Sequence, residues 1–278
     1  MKFHWADFLN RDGGHWQMTP NAERGKYWSP ERDCTSFPKT TKIASVRGDN
    51  TNFEALRDLE QLEELTLHET NQDQIDQLTS LPWIKRLRIT HARPKTLNAL
   101  AQLPNVEELV LEYVSGFDDL TPVGQMPKLR SLYMENLRRV TDFSPLKKLS
   151  DLRCLQVTGT WDWRQPVQSV EFIGELTSLE FLWLWVVSLK DFESAKNLAR
   201  IGDRCDFSFM HNFLPIEIFA YLEAHCANAQ FEPVEDFGVL LGKGERALTA
   251  RTKNPSEKRQ EHRDKYYALV EAARKAGP

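Results

Sequence analysis

Phe181, Trp183 and Trp185 stand two residues apart, as do Arg86 and Arg88, Glu108, Val110 and Glu112, and Tyr133 and Glu135. In an extended chain, residues at this spacing project from one face. A row of large rings beside guanidinium and carboxylate groups has the chemistry of recognition. Aromatic and Arg side chains dominate the energetic centres of interfaces, while opposed charges set orientation. Bond-making chemistry leaves no comparable trace. The chain has no phosphate-binding glycine loop, dinucleotide fingerprint, nucleophile elbow or paired-histidine zinc helix, and Gly242–Arg246 (GKGER) lacks the length and hydroxyl of a phosphate loop. His68 stands alone, and Asp162, Glu171 and Glu175 are scattered acids. His211, His225 and Cys226 with Cys205 fit no metal-finger spacing. No cofactor is expected.

Composition narrows the classes. The 278 residues are 41% hydrophobic and 27% charged, an ordinary globular balance, with a net charge of −4. That charge gives no general attraction to nucleic acid or an anionic membrane. The N-terminus has no apolar run of the kind that directs secretion, and the richest apolar stretch, 181–189, is too short to span a bilayer. The expectation is a cytoplasmic chain whose four cysteines are reduced.

The elements that carry these residues repeat. LEELTL begins at Leu62, IKRLRI at Ile84, VEELVL at Val106, LRSLYM at Leu129, LRCLQV at Leu152 and LEFLWL at Leu179, so the starts are 22, 22, 23, 23 and 27 residues apart. Weaker copies begin at Thr40 (TTKIAS) and Ile201 (IGDRCD). A second half recurs as LTSLP, LAQLP, VGQMP, LKKLS and LTSLE. Alternating aliphatics in the first half predict a strand buried on one face, and the second half turns back through a short L-x-x-L segment. Each unit leaves an apolar edge that only the next can cover. Stacking therefore predicts a curved α/β solenoid with a parallel sheet inside and short helical or 3-10 segments outside.

Over about residues 40–207, some eight units, the sequence resembles the leucine-rich repeat family, and Val140–Leu152 (VTDFSPLKKLSDL) is similar to internalin repeats. The resemblance implies an inward Asn after each L-x-L, but Thr70, Ala92, Val114, Leu137, Thr160 and Val187 occupy those places. The loop backbone must find other partners, and looser inner turns are expected.

The positions between the buried ones line the concave face. Its first half is charged (Glu64, Arg86, Arg88, Glu108, Glu112, Glu135) and its end aromatic, with Tyr133 and Phe207 near Phe181, Trp183 and Trp185. The long unit inserts Thr158–Phe172, carrying Trp161 and Trp163, as a rim for the same site or a loop folded back on the solenoid. Residues 1–39, rich in aromatics, read as an N-terminal cap, and 208–243 as a C-terminal cap with a helix over Leu214–Cys226. Residues 244–278 read as a basic helical tail that docks weakly, with Tyr266, Leu269, Val270 and Ala273 on one side. The functional expectation is a non-catalytic module that holds another protein on the concave face. A regulatory subunit is one form of it, and resemblance to short bacterial repeat proteins adds a toxin-neutralising immunity role. The alternative is an enzyme or effector whose active part lies in 208–278, with nucleic-acid reading by the basic tail a lesser possibility.

Overall fold

The computed structural model describes residues 32–202, 205–210, 214–226, 229–230 and 255–277, with backbone alone at 206–210, 229–230, 255–259 and 262. The aromatics expected in an N-terminal cap at Phe3, Phe8, Trp5, Trp16 and Trp28, the strands expected after Phe231, and His211 lie outside the described residues.

Each L-x-L becomes one five-residue strand. These are β1 (Ile43–Arg47), β2 (Glu64–His68), β3 (Arg86–Thr90), β4 (Glu108–Glu112), β5 (Ser131–Glu135) and β6 (Cys154–Thr158). The insertion supplies a short β7 (Gln165–Val167), and the long repeat continues with β8 (Phe181–Trp185) and β9 (Val187–Leu189). β10 (Asp206–Met210) and β11 (Ala229–Gln230) complete the set among the described residues. Nine strands form one parallel sheet in the order β1-β2-β3-β4-β5-β6-β8-β10-β11, and β7 pairs with β9 alongside it. The register runs straight across the six strong repeats: Leu65, Leu87, Leu109, Leu132, Leu155 and Leu182 stand opposite one another. All six are buried, as are Leu67, Ile89, Leu111, Met134, Val157 and Leu184 one step on.

The return half of most units forms a 3-10 turn, at Phe53–Asp58, Gln77–Ser80, Asn98–Gln102, Ser144–Lys148, Glu171–Glu175 and Glu193–Ile201. Two units also use short α-helices, α1 (Gln72–Asp76) and α2 (Thr121–Gly124). The L-x-x-L spacing explains the choice, because residues i and i+3 eclipse in a 3-10 helix and both can face the core. Leu78 and Leu81, Leu100 and Leu103, and Leu146 and Leu149 do so. LTSLE is out of frame by one turn: the equivalent pair in that unit is Ile173 and Leu176 on the Glu171–Glu175 segment.

Both weak copies are also shifted. β1 pairs Ala44 with Leu65 and Val46 with Leu67, one residue later than a unit starting at Thr40 requires. β10 pairs Phe207 with Leu182, a core register position, so Phe207 does not share the concave row of Phe181, and Cys205 is buried. A strand has period two, so an odd shift exchanges its faces.

The inner turns are ordered without the Asn ladder. Glu69, His91, Tyr113, Asn136 and Val186, each directly after its strand, adopt the left-handed conformation with φ between 53° and 56°. That geometry aims the next amide back along the stack. Glu69 N–H donates to Thr90 O at 2.9 Å, His91 to Glu112 O at 3.0 Å, Tyr113 to Glu135 O at 2.9 Å and Asn136 to Thr158 O at 3.0 Å. The sheet ladder thus runs one residue beyond the strands, and the apolar Ala92, Val114, Leu137 and Val187 replace the expected Asn as buried core. Gln165 substitutes for one Asn directly: its buried amide accepts from Leu137 N–H at 2.9 Å and donates to Val140 O at 2.9 Å.

At the far end α3 (Ile216–His225) covers the last repeat with Ile218, Phe219 and Leu222, and α4 (Pro255–Ala276) packs against α3. Tyr266 and Val270 are buried there, and the Tyr266 hydroxyl donates to Glu223. The tail helix therefore packs on α3 through the side the sequence places inward. Burial and the neighbouring Glu223 push the Tyr266 phenol well above its ordinary value, so it stays a neutral donor.

Leu109→Ala is expected to cost about 2–5 kcal/mol in urea denaturation. Glu69→Asn should be neutral or slightly stabilising, because Asn tolerates the left-handed region better. Tyr266→Ala should expose the amides of α4 to hydrogen exchange while β2–β6 stay protected. Equal loss of protection throughout would show that α4 and the repeats unfold as one unit.

Candidate functional site

The register sorts the concave side chains into three rows. At the strand starts lie Glu64, Arg86, Glu108, Ser131, Cys154 and Phe181; at the centre Thr66, Arg88, Val110, Tyr133, Gln156 and Trp183; at the strand ends His68, Thr90, Glu112, Glu135, Thr158 and Trp185. The alternation that buries the leucines thus brings all the concave candidates onto one surface.

The charged half is already paired. Arg86 Nε lies 3.4 Å from the buried Glu64 carboxylate. Arg88 is 6% exposed and bonds Glu112. The two arginines, expected as anchors, are each committed to a neighbouring strand. Glu135 accepts from the hydroxyl of Tyr133 and is bonded by Tyr113 as well. Burial, then the neighbouring Glu112, raises the Glu135 carboxyl above the usual range. Tyr133 itself is 4% exposed. It has little ring to offer, and its visible role is to hold Glu135. Burial first, then Glu135, pushes its phenol far above the ordinary value.

The aromatic half is different. Phe181, Trp183 and Trp185 are half-buried, while Leu182 and Leu184 between them fill the core. Trp183 and Trp185 ring centres are 6.2 Å apart, and Trp161 meets Trp185 edge-on at 5.8 Å. Trp161 comes from the insertion and is 80% exposed. Its place is set by a tight turn in which Thr160 and Trp163 exchange backbone hydrogen bonds at 2.7 and 3.2 Å. Gly159 sits where an added Cβ would fall 2.4 Å from Trp163 O, so only glycine allows this approach. The insertion therefore abuts the aromatic strand as a rim. Trp163 has the Arg138 guanidinium 5.9 Å over its ring. Trp183 Nε1 and the neighbouring Gln156 Oε1, a donor and an acceptor, are shielded and make no hydrogen bond among the described residues.

A second ring cluster escaped the sequence reading. His68, His91 and Tyr113 run along the strand ends, with centres 5.1 and 5.0 Å apart and the His91 and Tyr113 planes within 4°. His91 and Tyr113 occupy the left-handed position after consecutive strands, and that position was the available signal. Burial lowers the His68 imidazole below its ordinary value. Among the described residues no three His, Cys, Asp or Glu side chains converge as a metal site requires, and no helix is long and apolar enough to cross a membrane. Cys34, Cys154, Cys205 and Cys226 are buried, and burial raises the Cys34 thiol to about 11 and the Cys154 thiol further.

No known family profile and no curated protein matches the chain in sequence. Solved structures do match in shape. An internalin from Listeria monocytogenes superposes with a TM-score of 0.50 and 19% identity over 66% of this chain, which spans only 58% of the internalin's length. Internalin C2 of the same organism gives a TM-score of 0.49 and 20% identity over 72% of this chain and 79% of its own. The plant peptide hormone receptor RGFR1, solved in complex with RGF2, gives 0.49 and 16% over 73% and 40%. At these identities the likeness is one of fold. Together with the straight parallel register, the 3-10 return segments and the L-x-x-L-x-L units, it identifies the fold as a leucine-rich repeat solenoid.

Proposed function

We propose that this chain is a non-catalytic cytoplasmic module that holds a protein partner on its concave face, as a regulatory or toxin-neutralising protein. One observation carries the reading: the run Trp161–Trp185–Trp183, with Phe181 beside it, is built on a sheet whose core is complete without it. Large rings at such positions contribute nothing that the repeat requires, and indoles are the side chains that most often anchor interfaces. The paired rows Arg86/Glu64 and Arg88/Glu112, with Glu108 and Glu135, supply polar complementarity on one flank. Trp161 and the insertion close the other flank, with Trp163 and Arg138 bracing its outer side. Trp183 can turn its indole N–H to an acceptor on the partner, a donor it leaves unused within the described residues.

The test is affinity capture from the native lysate with the wild type beside a Phe181/Trp183/Trp185 triple alanine variant that retains the wild-type circular dichroism and unfolding midpoint. A protein retained by the first and lost by the second supports the reading. Once that protein is in hand, Trp183→Ala should weaken binding by at least about 30-fold, the size of an interface hot spot. Equal capture by both baits would remove the aromatic face from the function.

A further inference from the structure

The rim beyond the strand ends carries a site of its own. Arg93, Ser115 and Arg138 are equivalent positions in three successive repeats, each two residues after a left-handed turn residue (His91, Tyr113 and Asn136). Strands in a sheet lie about 4.8 Å apart, so the two arginines stand about 10 Å apart at their backbones with a small serine between them. All of these residues, with Glu69, line one groove of about 400 Å³. The acid in that groove is already engaged: Glu69 lies 3.2 Å from Arg47 and 3.7 Å from His68. Arg93 and Arg138 make no ion pair with any described residue, although both reach the groove; Arg138 bonds Asn136 at 3.3 Å and rests over Trp163. Three other acids have partners as well, and Asp162 also feels the charge of Arg138. Glu112 is bonded by Arg88, Glu135 by Tyr133, and Asp162 by Thr160.

We infer that this groove binds an oxyanion carried on a flat ring, held between Arg93 and Arg138 over Ser115 with its ring against the exposed His91–Tyr113 stack. Two arginines lining one groove with a hydroxyl residue between them supply forked donors that match carboxylate or phosphoryl oxygens. The parallel rings add a stacking surface that a bare anion would not use. The amides of Ser115 and His91 are consumed by Ala92 O and Glu112 O, so recognition falls to side chains. The site lies at the edge of the solenoid and not on its concave sheet. It shares Arg138 with the flank of the partner surface proposed above, and Arg93→Ala tests it without touching that surface.

The experiment is an amide NMR titration of the full chain at constant ionic strength with phenyl phosphate and, separately, benzoate. Saturable shifts at Tyr113, Ser115 and Asn136, weakened at least tenfold in Arg93→Ala and in Arg138→Ala, are expected for one or both probes. The probe that binds more tightly identifies the anion as phosphoryl or carboxylate. Arg93→Lys and Arg138→Lys keep the charge and should recover only part of the affinity. Titration with inorganic phosphate should give shifts at least tenfold weaker than the ring-bearing anion. Absence of saturable shifts with both aromatic probes, or binding that the arginine variants leave unchanged, overturns the site. Equal affinity for inorganic phosphate overturns the ring's part in it.

Discussion

The parity of a β-strand governs this molecule. In a parallel stack with a straight register, every second side chain of every repeat goes to the same side. Leu65, Leu87, Leu109, Leu132, Leu155 and Leu182 form one continuous buried row for that reason, and the residues between them form a second surface that the core does not need. That surface could diversify into charged pairs at one end and indoles at the other while the fold stayed the same. The return segments follow from the same stack. They must bring the chain back over a wider outer path, and eclipsed leucines on short 3-10 turns do this within 22 or 23 residues.

The turn after each strand is where the constraint is tightest. A left-handed conformation at His91 or Tyr113 carries a steric cost of about 1–2 kcal/mol for an L-residue. It persists because the turn amide gains a place in the ladder, and because the residue after it enters the core. Leaving a buried amide unpaired would cost about as much or more. This explains why Ala92, Val114 and Leu137 can stand where a polar side chain would otherwise serve the loop. Where the insertion breaks the regular path, Gln165 reaches in from β7 and bonds the backbone of Leu137 and Val140.

The repeats were legible because aliphatic residues alternate without ambiguity from Leu62 to Leu184. The weak copies were not. In β1 the inward residues are Ala44 and Val46, with Ile43 beside them as an equally apolar decoy, and around β10 a single residue decided whether Phe207 counted as face or core. On the concave face the sequence revealed which side chains share a surface, but not their commitments. Burial of Tyr133, the Arg88–Glu112 pair and the Glu64–Arg86 pair depend on neighbours 22 to 24 residues away. The His91–Tyr113 stack was invisible to a reading that followed leucines, because its residues lie in the turns.

On the proposed reading, the two ends of the face divide the physical work of recognition. A guanidinium already bonded to a carboxylate across a strand has shed part of its hydration and lost its side-chain freedom before any partner arrives. The Arg86/Glu64 and Arg88/Glu112 pairs are therefore preorganised and neutral as pairs, so they set the register of a docked surface more than they attract one over distance. Attraction must come from area removed from water, and the large rings lie at β8 and the insertion, where Trp161 alone is 80% exposed. Arg93 and Arg138 in the rim groove form no ion pair with a described residue and differ from Arg86 and Arg88 in this respect: an anion in the groove gains an interaction that the concave pairs have already spent.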